Sequence, residues 1–167
     1  MKIINAGVTA PKGFKCAGLR AGVKSGKTNK DMAMIVSEVP AKIAGTFTKN
    51  IVKAAPVLWG KKIVEEQEAV RAVVINTGIA NACTGAQGYE NVVTEAKEVA
   101  KLLDIKPEEV VVGSTGVIGQ QLPMDVIKEG IKKLVPELKA DRQSEEDASW
   151  AILTTDTKPK EAAVEVE

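Results

Sequence analysis

The 167-residue sequence contains no histidine. This absence excludes Ser-His-Asp and Cys-His catalysis, imidazole general bases and most zinc sites from anything the chain does alone. Cysteine is almost as scarce, and Cys16 and Cys83 form no CxxC pattern, so neither a disulfide framework nor a metal site is indicated. Both thiols are expected to be reduced, as in the cytoplasm. Cys83 has no basic neighbour in sequence and is expected to be a buried, unreactive thiol.

Long apolar runs and an excess of one charge are also missing. No segment approaches the ~18 apolar residues that span a bilayer, and the N-terminus lacks a signal-peptide core, so a soluble, unexported protein is expected. The 23 basic and 22 acidic residues leave a net charge of +1, which attracts neither nucleic acid nor an anionic membrane. With 44% hydrophobic residues and no repeat or linker, residues 1–167 are expected to form one globular lobe whose partner is a small molecule or another protein.

The apolar pattern predicts strands first and helices later, which favours an α/β fold. Short, often valine-rich runs predict strands at 32–36, 44–48, 69–75 and 110–112, the last closed by Gly113. Helical spacing predicts helices over 91–103, with Glu95 on its polar face, over 122–134, entered near Pro123, and over 144–152, capped by Ser144. Residues 163–167 alternate like a half-buried strand, so we expect the chain to belong to a longer translated product.

A permissive phosphate-loop pattern, Ala-Gly-Val-Lys-Ser-Gly-Lys-Thr, occupies residues 21–28. Such a loop binds phosphate because a strand enters it and a helix leaves it, so that backbone N–H groups converge on the anion. Here residues 16–20 make a poor strand, and the apolar run after Asp31 is too short for the helix. A solvated, lysine-rich turn is favoured over a nucleotide site that uses Lys27.

The segment Gly-Ser-Thr-Gly-Val-Ile-Gly at 113–119 is better placed, because it follows a valine strand and precedes Pro123. Glycine permits positive φ and close approach of a ligand, while Ser114 and Thr115 add hydroxyl donors beside the amides of the turn. These are features of an oxyanion hole or a phosphate nest. A simple strand-to-helix connection with capping hydroxyls explains the same residues equally well.

Two further polar segments have a structural and a functional interpretation. Residues 76–85 follow a strand, and the favoured interpretation is a tight connection in which Asn76 and Asn81 bind local backbone groups, rather than a pocket lining. Residues 154–157, Thr-Thr-Asp-Thr, are explained as well by a hydroxyl-rich turn.

Ordered segments along almost the whole chain resemble one family. They are Pro-Lys-Gly-Phe at 11–14, Pro-Ala at 40–41 with Ala-Gly-Thr-Phe-Thr-Lys-Asn at 44–50, Ala-Ala-Pro-Val at 54–57, Asn-Ala-Cys-Thr-Gly at 81–85, Ser-Thr-Gly-Val-Ile-Gly at 114–119 with Leu-Pro at 122–123, and residues 151–157 with Pro-Lys at 159–160. Together they resemble the ornithine acetyltransferases of arginine biosynthesis, also called bifunctional glutamate N-acetyltransferase/amino-acid acetyltransferases.

This resemblance implies a layered α/β/β/α sandwich of the self-processing type, in which the chain is the N-terminal lobe, or alpha chain. The precursor cleaves itself before a threonine beyond Glu167, and that threonine becomes the N-terminal nucleophile of a beta chain. The chain is then active only with the beta chain, in a heterodimer or a larger assembly such as a heterotetramer. The acetyl group of N2-acetylornithine passes to the threonine and then to glutamate, without a metal or organic cofactor. Some members also accept acetyl-CoA as donor.

The resemblance also implies roles for particular residues. The Thr115 hydroxyl and the Gly116 amide are the donors of the oxyanion hole, and Thr154, with Thr155 and Thr157 as further candidates, contacts the amino-acid part of the substrate. At positions 77 and 79 the sequence has Thr and Ile where the family pattern has a serine and an asparagine, so no polar role is expected at position 79. The alternatives are a self-cleaving, aminopeptidase-like amide hydrolase, in which water replaces glutamate, and a nucleotide-binding module.

Overall fold

The structure is a computed structural model that describes residues 1–24, 26, 29–66 and 69–166. The elements of the described chain are, in order, β1 (Lys2–Ile4), β2 (Phe14–Leu19), β3 (Met32–Lys42), α1 (Ala55–Glu66), β4 (Ala69–Ile79), α2 (Gly85–Leu103), β5 (Val110–Val117), α3 (Met124–Leu134), α4 (Arg142–Ala151) and β6 (Ala163–Glu165). Short 3₁₀ helices at Pro107–Glu109 and Val135–Glu137 precede β5 and follow α3. Within this part of the chain, no helix is both long and apolar enough to cross a bilayer.

A mixed four-stranded sheet in the order β2-β3-β4-β5 forms the centre of the fold. Strands β2, β3 and β4 pair in antiparallel fashion, whereas β4 and β5 are parallel and remain in register from Ala72↔Val110 to Ile79↔Val117. The parallel pair is joined through α2, as parallel strands require a crossover connection. Strands β1 and β6 form a separate two-stranded antiparallel sheet. The predicted α/β class is therefore confirmed.

Helices α1, α2 and α3 pack on one face of the four-stranded sheet, and α4 packs on the other face over β2 and β3. On one face, alternate residues such as Met34, Val74 and Val112 join a buried core with α1, α2 and α3. On the other face, Cys16 and Ala33 pack in a smaller cluster with Ala148 and Ala151 of α4. Burial raises the pKa of the Cys16 thiol to about 11, with nearby carboxylates adding to the effect.

Small residues in β2 let α4 approach its backbone directly. A methyl group at Gly18 would lie 2.5 Å from the backbone nitrogen of Ala148. Residues 16–20, which make a poor strand by sequence, therefore include part of a genuine one, because the small side chains that weaken the strand pattern leave room for the helix. The helix itself is capped by Asp141, whose carboxylate accepts a hydrogen bond from the backbone N–H of Ser144 (2.8 Å), so the assignment of Ser144 as the cap is wrong.

The strands predicted at 32–36, 69–75 and 110–112 and the three predicted helices are confirmed, although their ends differ by up to six residues. The strand predicted at 44–48 is wrong, and α1 was not predicted. Residues 44–48 lie along α1 with no strand partner, and the Phe47 ring packs against Gly60 of that helix. The strand predicted at 163–167 is confirmed for Ala163–Glu165, but the expected burial of one face is not seen, because the apolar residues of the alternation, Val164 and Val166, are exposed (52% and 70%).

Candidate active site

A cleft of about 850 Å³ opens where β4 and β5 end. Such carboxyl ends of parallel strands are where ligands bind in open α/β sheets. Four segments form its walls: the two strand ends with Gly78, Thr115 and Gly116, the loop between β2 and β3 with Lys24, the segment after α4 with Thr154 and Thr155, and the residues after β5 with Gln120 and Gln121. The structure thus brings four of the five predicted site residues to one cleft.

The strand end that carries Thr115 and Gly116 is more regular than the sequence suggests. The predicted turn at 113–119 is wrong for its first part, because β5 continues to Val117. Thr115 lies opposite Thr77 and Gly116 opposite Gly78 in the parallel register. Gly116 has φ +137°, and a methyl group there would overlap the carbonyl group of Gly78 and lie 2.7 Å from the backbone nitrogen of Ile79. Gly116 is therefore required by the close approach of the two strand ends.

Ser114 lies on the other face of β5, away from the cleft. It pairs with Asn76, which is completely buried on the side of the sheet that α1 and α2 cover. The Ser114 hydroxyl and the Asn76 side-chain oxygen have no hydrogen-bond partner in the described chain, and the same holds for both carboxyl oxygens of Glu95. Glu95 is fully buried, so its predicted place on a polar helix face is wrong, and burial raises its pKa to about 8.

The loop between β2 and β3 is held by a buried carboxylate. Asp31 accepts hydrogen bonds from the backbone N–H groups of Ala21 (2.6 Å), Gly22 (3.1 Å) and Lys24 (3.0 Å). The Lys24 ammonium in turn donates to the carbonyl oxygen of Leu153 (2.6 Å). This lysine connects two walls of the cleft, and sequence reasoning missed it because the contact spans more than a hundred residues.

The same loop contains the phosphate-loop pattern. Its residues Ser25, Lys27 and Thr28 lie outside the described residues. The prediction that no strand enters the loop is wrong, since β2 does so. In the described chain the next element is the antiparallel strand β3, not the helix that a phosphate-binding loop requires. The half-buried Lys24 in the cleft also differs from the predicted solvated turn.

The third wall follows α4. The hydroxyl of the buried Thr77 donates to the carbonyl oxygen of Ala151 (3.0 Å), which fixes the end of α4 against β4. Thr154 and Thr155 then face the cleft. Thr157 lies outside it, exposed beside the ion pair between Asp156 and Lys160.

Residues 76–85 both make local hydrogen bonds and contribute to the lining of the cleft. The Asn76 amide donates to the carbonyl oxygen of Ile79 (3.0 Å), and the Asn81 amide donates to that of Gly88 (2.9 Å), which confirms the local structural role. Gly78 and Ile79 also line the cleft. Cys83 is exposed with φ +57°, so the prediction of a buried thiol is wrong for this residue.

The chemistry of the cleft is that of hydrogen-bond donors. Its described lining includes threonines, glycines, glutamines and Lys24 beside apolar residues such as Val23 and Val117, but no carboxylate and no thiol. Hydroxyl and amide donors fixed in place stabilise negative charge that develops on an oxygen atom. The described lining therefore offers polar side chains and a cation, and no carboxylate or thiol to act as base or nucleophile.

Fold and cleft together define an α/β protein with a polar cleft at the ends of two parallel strands. The model of the ArgJ family matches residues 15–167, and the chain belongs to this family. The family resemblance seen in the sequence is thereby confirmed.

Individual relatives agree with this assignment. The chain is 48% identical over 164 residues to the arginine biosynthesis bifunctional protein ArgJ of Streptococcus mutans, covering 98% of this chain and 40% of that protein. It is similar to the structure of ornithine acetyltransferase from Mycobacterium tuberculosis complexed with ornithine, with a TM-score of 0.92, 40% identity and coverage of 96% of this chain and 86% of that one. The structure of ArgJ from Bacillus halodurans gives a TM-score of 0.85 at 41% identity, with 91% and 78% covered. The chain thus spans about 40% of the length of the Streptococcus mutans relative.

Proposed function

We propose that the chain is the N-terminal lobe of an acetyltransferase of arginine biosynthesis, which moves the acetyl group of N2-acetylornithine to glutamate. Membership of the ArgJ family and similarity to an arginine biosynthesis bifunctional protein and to an ornithine acetyltransferase support this activity. The observation that carries the proposal is the meeting of Thr115 and Gly116 with Thr154 and Thr155 in one cleft. Donors for an oxyanion and hydroxyls for an amino acid then face the same substrate.

In the proposed reaction, a threonine hydroxyl outside this chain attacks the acetyl carbonyl carbon. Negative charge develops on the acetyl oxygen, where the Thr115 hydroxyl and the Gly116 N–H donate hydrogen bonds, each contributing about 3 kcal/mol to stabilising the transition state. The amide C–N bond then breaks, and the departing amine of ornithine takes the proton that the threonine lost. The amine of glutamate attacks the resulting ester, which releases N-acetylglutamate and restores the hydroxyl.

The nucleophile belongs to the N-terminus of a second polypeptide cut from the same precursor. An N-terminal threonine uses its own α-amine as general base, which fits a cleft whose described lining has no carboxylate and a chain without histidine. No metal or organic cofactor takes part in this scheme. Acetyl-CoA is a candidate second donor for the same ester.

The second polypeptide also completes the layered α/β/β/α sandwich in this proposal. Val73 and Ile75 of β4 alternate with the buried Ala72 and Val74, so they lie on the face opposite to α1 and α2, and both are only partly buried. Apolar side chains on a sheet face are stabilised when another layer covers them. A second sheet on this face would form a heterodimer, and larger assemblies would follow from pairing of heterodimers.

The test uses the whole gene product, incubated with N2-acetylornithine and glutamate. Formation of N-acetylglutamate together with ornithine supports transfer. Ornithine with free acetate alone indicates the amide hydrolase, in which water replaces glutamate. Intact-mass analysis of the same sample is expected to show two polypeptides, the second beginning with threonine, and a single uncut polypeptide in an active sample contradicts the proposed nucleophile.

A further inference from the structure

We propose that Lys24 is a positioning residue that sets the spacing between the oxyanion donors and the threonines that hold the amino-acid part of the substrate. The inference rests on the proposed function, because it assumes that the cleft binds an N-acetylated amino acid. It concerns how this chain fixes the shape of the cleft before any second polypeptide is added.

The ammonium of Lys24 holds the wall that carries Thr154 and Thr155. It donates a 2.6 Å hydrogen bond to the carbonyl oxygen of Leu153, the residue directly before Thr154. A hydrogen bond from a cation is shorter and about twice as strong as one between neutral groups. The backbone of this wall is therefore held from across the cleft.

The stem of Lys24 holds the other side. A methyl group at Gly78 would lie 2.9 Å from Cγ of Lys24, so the stem rests on the strand end that faces Gly116. The backbone N–H of Lys24 is bound by the buried Asp31 carboxylate (3.0 Å). The backbone and the ammonium of Lys24 are thus both held, and its side chain spans from the end of β4, which pairs with Gly116, to the segment that carries Thr154 and Thr155.

A second contact keeps α4 in place when the tether, which is the hydrogen bond from Lys24 to Leu153, is lost. The Thr77 hydroxyl holds Ala151 at the end of α4, and α4 packs on β2 through Cys16 and Ala148. Removing the ammonium of Lys24 therefore frees the residues after α4 without releasing the helix. The expected consequence is a loss of substrate binding with little change in the chemical step.

The variant Lys24→Met, which keeps the length and apolar stem, is tested in the whole gene product. Loss of a hydrogen bond to a charged group is expected to raise KM for N2-acetylornithine about tenfold or more, while kcat changes less than about threefold. Lys24→Arg, which keeps a cationic donor, is expected to restore most of the KM. Lys30→Met is the matched control, because Lys30 follows the same loop but binds the Gly18 carbonyl oxygen (3.3 Å) and the Asp147 carboxylate of α4 (2.6 Å), neither of which lines the cleft.

A second readout does not depend on activity. Amide hydrogen exchange of the peptide that covers residues 152–157 is expected to be faster in Lys24→Met than in wild type and Lys30→Met, while peptides of β4 and β5 stay unchanged. Unchanged exchange together with an unchanged KM overturns the tether. If Lys24→Met does not fold, Lys24→Gln is expected to show the same faster exchange to a smaller degree, and no change there also overturns it. If the wild type transfers no acetyl group, but residues 152–157 still exchange faster in Lys24→Met than in the wild type, the proposed function is refuted and the tether is supported.

Discussion

The buried carboxyl group of Glu95 gives a prediction about how stability depends on pH. Glu95 lies in the middle of α2 and is completely buried, and neither of its oxygens has a hydrogen-bond partner in the described chain. Burial disfavours the charged form and raises the pKa of Glu95 from 4.5 to about 8. The folded protein therefore keeps this carboxyl group neutral at physiological pH.

The sign of the effect follows from which state holds the proton. Well below pH 4.5 the carboxyl group is protonated in both the folded and the unfolded chain, so its ionisation does not change the free energy of unfolding. As the pH rises from 4.5 to about 8, the unfolded chain loses the proton while the folded protein keeps it, and the free energy of unfolding falls. Since each pKa unit corresponds to ~1.4 kcal/mol, the total loss is roughly 4 to 5 kcal/mol.

The substitution Glu95→Gln keeps the shape of the side chain and removes its titration. We expect the wild type and the variant to be about equally stable near pH 5, and the variant to be more stable by several kcal/mol near pH 8.5. Urea unfolding of the whole gene product at several pH values measures this, with the fluorescence of the buried Trp59 as one signal. Glu90→Gln is the matched control, because Glu90 is an exposed glutamate of the same helix.

Two outcomes contradict this reasoning. If the difference in unfolding free energy between the wild type and Glu95→Gln is the same at pH 5 and pH 8.5, the carboxyl group does not titrate as a buried, unpartnered acid. If Glu90→Gln changes the pH dependence as much as Glu95→Gln does, the effect belongs to the charge of the helix and not to burial.

Three further substitutions or titrations test the site. Thr115→Ala is expected to lower kcat for acetyl transfer about a hundredfold or more with assembly intact, because one oxyanion donor is lost. Thr157→Ala is the control, because Thr157 lies outside the cleft, and it is expected to leave kcat unchanged. Equal kcat values for the two variants would show that Thr115 is not an oxyanion donor. Gly116→Ala is expected to lower the melting temperature clearly more than Gly119→Ala does. Both glycines have positive φ, but only a methyl group at position 116 would meet backbone atoms of the facing strand. Similar melting temperatures for the two variants would contradict this steric conflict. Isothermal titration with ATP is expected to show no binding, and a micromolar Kd that Lys27→Ala abolishes contradicts the rejection of the nucleotide site.

The sequence pattern predicted α2 and the valine strand β5 well, because helical and strand periodicity are local properties. The error at Glu95 is instructive, since position 95 lies three residues after Val92 and four before Val99, a spacing that places it on the apolar face. Its charge suggested the opposite face. Periodicity was here the better guide to burial than residue type.

The features that could not be predicted from the sequence depend on contacts between distant segments. The apolar run at 44–48 lacks a strand partner and lies on α1, which no local rule reveals. The hydrogen bond between Lys24 and Leu153 joins two loops that are close only in the folded sheet. Thr115 and Thr154 were assigned through the family resemblance, and their joint position in one cleft is a property of the fold.

The central claim is that the acetyl oxygen binds between Thr115 and Gly116, with the amino-acid part of the substrate at Thr154. A crystal structure of the whole gene product with N2-acetylornithine tests it most directly. The acetyl oxygen is expected about 2.7–3.1 Å from the Thr115 hydroxyl and from the Gly116 nitrogen. An acetyl group bound in any other cleft, with this one empty, contradicts it.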